Sequence, residues 1–228
     1  FHDAIRDYPT FSPSYSSLVQ MNNVEHFVHP GRFRNLDMAR KTLELAKAAV
    51  QLDPVDSRAH LCCGWSYVMA LREAEAAPHM ELAYELNDND PWTVLSCAHY
   101  LAFCGSIEQA RQWAEQSLAL SPAPSYLAWG YHCTIRFLCG DYAGALAACD
   151  RAHGVLQILP AWRAAALFHL GKPELARLEA ERFLNGIRSY WVGSSAPTAA
   201  EIVRWVLQAH PISVCSRWEA LREGLRGA

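Results

Sequence analysis

The chain has 228 residues, 51% of them hydrophobic and 19% charged, with a net charge of −3. Neither that charge nor a pI near 6.4 provides the clustered Lys and Arg that nucleic acid or an anionic membrane would require, so direct nucleic-acid binding is not expected of this chain. No apolar run approaches the roughly 20 residues of a membrane span and no signal peptide opens the chain, so a cytoplasmic protein is expected, with neither membrane anchorage nor membrane binding.

Alanine and leucine abound, β-branched residues are sparse and no alternating strand pattern stands out, so the elements are expected to be helical throughout. The run Asp7-Tyr8-Pro9-Thr10-Phe11 reads as the end of a helical repeat entered partway through. A similar phrase closes later apolar stretches: Leu52-Asp53-Pro54, then Leu86-Asn87-Asp88, then Leu120-Ser121-Pro122, with successive phrases 34 residues apart. Self-similarity at that period points to stacked helix pairs, which exist mainly to present a surface. Pro9 and Pro54 stand 45 residues apart, 11 more than one period. One repeat is therefore expected to carry an insertion, placed at His26 to Arg34 between its two helices. From Gly140 to Gly171 the step shrinks to 31, and the repeats decay toward the end, as capping units do.

Within each period the same slots hold small residues. The eighth is Gly64, Ala98, Cys133 and Ala164, and the twentieth is Ala76, Ala110, Ala145 and Ala176. Helices of a pair cross at these points, and a large side chain would hold their axes apart. Glycine ends the first helix at Gly105, Gly140 and Gly171, whereas the equivalent slot of one repeat holds Leu71. Pro78 is placed near the start of a second helix, where proline is tolerated. This pattern resembles the tetratricopeptide repeat (TPR) family over roughly residues 36 to 184. The resemblance implies an all-α, right-handed superhelix of helix-turn-helix repeats forming a single domain over 1–228. Residues 1–35 would be a partial, inserted repeat, 36–184 the core repeats, and 185–228 the capping helices.

No constellation suggests catalysis. The eight cysteines include no C-x-x-C pair and read as small buried thiols. His26 and His29 fall in the expected insertion and read as solvated loop residues without a third metal ligand. Asn87-Asp88-Asn89-Asp90 lacks the glycine and distal glutamate of a calcium loop and reads as a capping turn for the next helix. Phosphate-cradling loops, nucleophile elbows and H-E-x-x-H helices are missing from the sequence. A non-enzyme without cofactor or metal is expected.

The resemblance to TPR proteins implies that first-helix positions line an inner groove. In this chain those positions supply Arg58, Leu61, Trp65 and Met69, then Trp92, His99 and Phe103, then Tyr131 and Phe137, then Trp162 and Phe168. Trp65, Trp92, Tyr131 and Trp162 are the expected anchors. Only Arg58 carries the charge of a carboxylate clamp. An apolar groove calls for a cover: a protein or peptide partner such as an amphipathic helix, or the chain's own segment from Ala200 to Leu225, with self-association a further option. The decaying repeats and the ending Trp218 to Arg226 resemble the C-terminal regions of bacterial winged-helix transcription regulators and class III adenylate cyclases. That resemblance implies a regulatory or sensor module. A TPR scaffold attached to an enzyme such as a cyclase, or a free-standing adaptor, are the alternatives.

Overall fold

The computed structural model describes residues 1–193 and 195–228. Among these the regular elements are thirteen α-helices and one 3-10 turn. Helix α1 (His2–Asp7) leads into α2 (Ser12–Val28), which folds back on α3 (Leu36–Leu52). Four more hairpins follow: α4 (Ser57–Met69) with α5 (Glu73–Leu86), α6 (Pro91–Cys104) with α7 (Ile107–Leu120), α8 (Tyr126–Leu138) with α9 (Tyr142–Arg151), and α10 (Leu159–His169) with α11 (Pro173–Ile187). The 3-10 turn (Arg188–Tyr190), α12 (Ala199–Ala209) and α13 (Cys215–Gly227) come last. The first helix of each hairpin packs on the first helix of the next, so α2, α4, α6, α8 and α10 form one continuous inner row.

Local chemistry sets the boundaries. Side chains of Asn35, Asp56, Asp90, Ser125 and Asp141 accept hydrogen bonds from the first-turn N–H groups of α3, α4, α6, α8 and α9. Asp90 serves both Trp92 and Thr93, so the acidic run before α6 is a capping turn. Gly105, Gly140 and Gly171 take φ of +86°, +78° and +69°, the left-handed conformation that closes a hairpin turn. Leu71 adopts the same conformation, at φ +61°, without glycine's freedom.

All eight small repeat positions are buried. A Cβ on Gly64 would stand 2.9 Å from the Met80 side chain, which shows how closely α4 and α5 approach. Pro78 is the sixth residue of α5, not a first-turn residue as expected from sequence; its ring removes the bond to the Ala74 carbonyl from the helix interior. The insertion is also placed differently from expectation. His26, Phe27 and Val28 extend α2 to 17 residues, against 13 in α4, and only residues 29–35 form the connection. Continuing an existing helix satisfies backbone groups that a longer loop would expose.

The last two helices pack on the last hairpin, α13 mainly on α10 and α12 among residues of α10 and α11, and the segment that carries them returns along the inner side of the stack. Leu221 of α13 packs among Trp162 and Ala165, and His169 Nε2 donates to the Ala220 carbonyl at 2.7 Å. Gly224 approaches so closely that a Cβ there would lie 2.7 Å from the Ala165 Cβ. Before α13 the chain crosses the end of α6, where Ser213 N–H and Oγ donate to the Phe103 carbonyl at 3.3 and 3.2 Å. Before α12 it meets the first hairpin, where Val192 N–H donates to Pro30 O at 2.9 Å and Phe33 sits edge-on to Trp191. The C-terminal segment thus bridges the first and last hairpins.

Candidate binding cleft

The inner row of helices and the returning segment leave a cleft of about 390 Å³. Eight of the residues expected from sequence line it: Arg58, Leu61, Trp65 and Met69 from α4, Trp92, His99 and Phe103 from α6, and Tyr131 from α8. Their rings interlock. Trp92 lies 5.0 Å from Tyr131, Tyr131 4.5 Å from His99, and His99 4.4 Å from Phe103 between ring centroids. Trp65 approaches His99 at 5.7 Å and donates its indole N–H to Ser96 Oγ at 2.8 Å. Such tilted packing locks the aromatic wall in shape.

The structure does not bring the other three expected residues to the cleft. Phe137 and Trp162 are fully buried, packed edge to face at 5.1 Å, and His210 stands edge-on to Trp162 at 4.8 Å. Phe168 is half-buried beneath Gly227 of α13. The chain's own tail lies over Trp162 and Phe168, where the repeat register assigns an open groove, whereas Phe137 packs on Tyr142, Trp162 and His169 of the repeats themselves.

Sequence reasoning missed two sets of lining residues. Gln20, Asn23, Val24 and Phe27 come from α2, whose register the insertion obscures. Ala209, His210 and Pro211 come from the segment 200–225, which the sequence offers as a cover for the groove without singling out these residues. His26, read from sequence as a solvated loop residue, is a buried helical one whose Nε2 donates to the Ala209 carbonyl at 2.7 Å, while His29 remains exposed. Burial pulls the His26 imidazole down to about 4, with Arg34 adding to the effect against the Ala209 hydrogen bond.

The cleft is electrically quiet at its centre. Burial holds His99 well below its ordinary value and His210 at about 3, and pushes Tyr131 up to about 12. Thr134 Oγ1 donates to the Tyr131 carbonyl, so the 2.8 Å contact with His99 is a bond donated by Nε2–H of a neutral ring. Cys62 is held as a thiol, its pKa pushed up to about 12 by burial. Charge enters with Arg58, whose Nη2 donates to Gln20 Oε1 at 2.9 Å and Ser17 Oγ at 3.3 Å, and with Asp90. These groups are uncharged at neutral pH, so the centre of the cleft presents neutral rings and a thiol. Cysteine burial is uneven: Cys62, Cys63, Cys97, Cys133 and Cys139 are buried, Cys104 and Cys149 are partly so, and Cys215 is exposed, unlike the uniform burial expected. Among the described residues no helix is long and apolar enough to cross a membrane.

No family profile and no curated protein matches the chain. Among solved structures, it is similar to a chain of the APC/C hetero-tetramer Cut9-Hcn1, with a TM-score of 0.62, 13% identity, 98% of this chain covered and 45% of that one. It therefore spans less than half the length of that neighbour. It is also similar to a tetratricopeptide repeat protein from Parabacteroides merdae ATCC 43184, with a TM-score of 0.56, 15% identity, and 99% and 88% of the two chains covered. At these identities the likeness establishes the fold: an all-α solenoid of TPR helix pairs.

Proposed function

We propose that this chain is a non-catalytic binding module that takes a short apolar segment of a partner protein into the inner cleft. The observation that carries the reading is the convergence of eight side chains from α4, α6 and α8 on one aromatic wall. Arg58, Leu61, Trp65, Met69, Trp92, His99, Phe103 and Tyr131 form the recognition surface, with Trp65, Trp92 and Tyr131 as anchors, since buried aromatics carry a disproportionate share of binding energy. The cleft's volume suits a few side chains of an extended peptide or one helical turn; a longer helix, about 10–12 Å across with its side chains, would collide with the tail.

In this reading residues 1–228 act as one domain, because the tail ties the first hairpin to the last. The TPR-like neighbour Cut9 is described in an assembly with Hcn1, which supports capture of a protein partner here. The finer reading is a regulatory or sensor region of a bacterial cytoplasmic transcription regulator, with a scaffold attached to a cyclase-like enzyme or a free-standing adaptor as the alternatives. Selection from a displayed peptide library tests the cleft. Enriched peptides should carry aromatic or aliphatic anchors and lose binding to Trp92→Ala, with helical content intact by circular dichroism. Enrichment that ignores Trp92 and Tyr131 would refute the assignment.

A further inference from the structure

A second cavity, of about 320 Å³, lies between α2, α3 and the connection 29–35 and shares only Asn23 and Met69 with the inner cleft. Arg34 lines it. Its Nε and Nη1 are buried and have no hydrogen-bond partner, and among the described residues Arg34 forms no ion pair. Arg34 as a whole is half-buried; a guanidinium is always charged at neutral pH, and even partial burial without a counter-ion is costly. Burial indeed pulls Arg34 below its ordinary value.

The remaining polar groups of the lining leave that charge without a partner. Glu25 and Arg32 pair with each other, so they cancel. His26 is neutral, which leaves Arg34 as the one uncompensated charge among the lining residues. Asn35 spends its Oδ1 on the α3 cap, accepting from Asp37 N–H at 2.9 Å and Met38 N–H at 3.2 Å, which leaves its amide N–H groups to donate. Asn22 donates to Thr42 Oγ1 at 3.2 Å, leaving the Asn22 Oδ1 to accept and the Thr42 hydroxyl proton to donate.

We propose that this cavity is a binding site for a small organic monocarboxylate that also carries one hydrogen-bond donor, with Arg34 as the charged anchor. A single net positive charge matches a carboxylate; a phosphate dianion would need a second cation, and Arg32 is already neutralised. The volume falls at the low end of small-molecule sites, about 300–1,000 Å³. Asn35 and Thr42 line the same cavity as Arg34 and have protons to donate, and Asn22 Oδ1 is left to receive the ligand's amide or hydroxyl proton. This site is independent of peptide capture in the inner cleft.

N-acetylglycine serves as the probe and N-acetylglycinamide as its neutral counterpart, followed by NMR of the arginine Nε and histidine ring resonances. The acid should bind saturably and shift the Arg34 Nε and His26 signals, while the amide leaves them unmoved. Arg34→Gln should weaken binding on the order of ten- to hundredfold, Arg34→Lys less, and the exposed control Arg177→Gln not at all. Equal response to acid and amide, undiminished binding by Arg34→Gln, or preference for inorganic phosphate would overturn the proposal. Tighter binding of a pentapeptide through its free C-terminus would overturn the small-molecule assignment. Should Arg34→Gln fail to fold, the comparison of acid with amide on the unaltered chain still decides.

Discussion

The indole of Trp205 donates to the backbone carbonyl of His26 at 2.7 Å, joining residues 179 positions apart. The tie is reciprocal, because the His26 ring donates to Ala209 on the same helix as Trp205. Two buried hydrogen bonds thus fasten the tail to the first hairpin. Trp205 is fully buried, so Trp205→Phe removes one of these bonds and leaves a void. The expected cost is about 2–3 kcal/mol in urea unfolding, and an unchanged midpoint would show that the tail is not fastened here.

Acid should loosen the same junction. His26 and His132 are held at about 4 and His210 at about 3, chiefly by burial, whereas an unfolded histidine titrates near 6.5. Between these values the unfolded chain binds more protons than the folded one, so stability is complete above about pH 6.5 and falls as pH drops toward 4 and below. Each imidazole contributes roughly 1 kcal/mol per pH unit in that window. Denaturant midpoints from pH 7 to 4 check the slope, and His132→Gln should make it shallower; a flat profile would contradict the burial of these rings.

Leu71 sits in the left-handed region at φ +61° and is exposed, so its side chain contributes little packing to offset the strain. Leu71→Gly should stabilise the chain by about 0.5–1 kcal/mol, after allowance for glycine's greater freedom when unfolded. Loss of stability would mean that this turn differs from those at Gly105 and Gly140.

Ala110 and Ala145 are fully buried at hairpin crossings. Leucine at either position should overpack the interface and cost about 1–3 kcal/mol, while Ala119→Leu, on the exposed side of α7, should stay within about 0.5 kcal/mol. Equal midpoints for all three would break the repeat register.

A chain ending at Ile187 loses the cover over Trp162, Ala165 and Phe168. It should bind an apolar dye and self-associate at concentrations where the longer chain does neither. Absence of both effects would show that the tail is not the cover.

The small crossing residues and the capping turn at Asp90 were legible in sequence because each obeys a local rule that repeats every period. The same register located eight cleft residues. It also put Trp162 and Phe168 in the open, since a periodic rule describes a helix face and says nothing of what later lies on it. His26 was misread for a related reason: the insertion lengthens α2 by about a turn and shifts the register there. The partners of His26 lie beyond residue 200, where no period remains to be followed.

Linear repeat proteins hold each unit only by its neighbours, so units can be gained or lost and the ends can fray separately. The bridge between α2 and the segment around α12 makes the first hairpin a neighbour of the last. A duplicated hairpin would rotate the final helices away from His26 and Pro30, and a deleted one would overshoot them. The bridge therefore fixes how many hairpins can lie between α2 and α12, and among the described residues the first and last hairpins cannot loosen independently of each other.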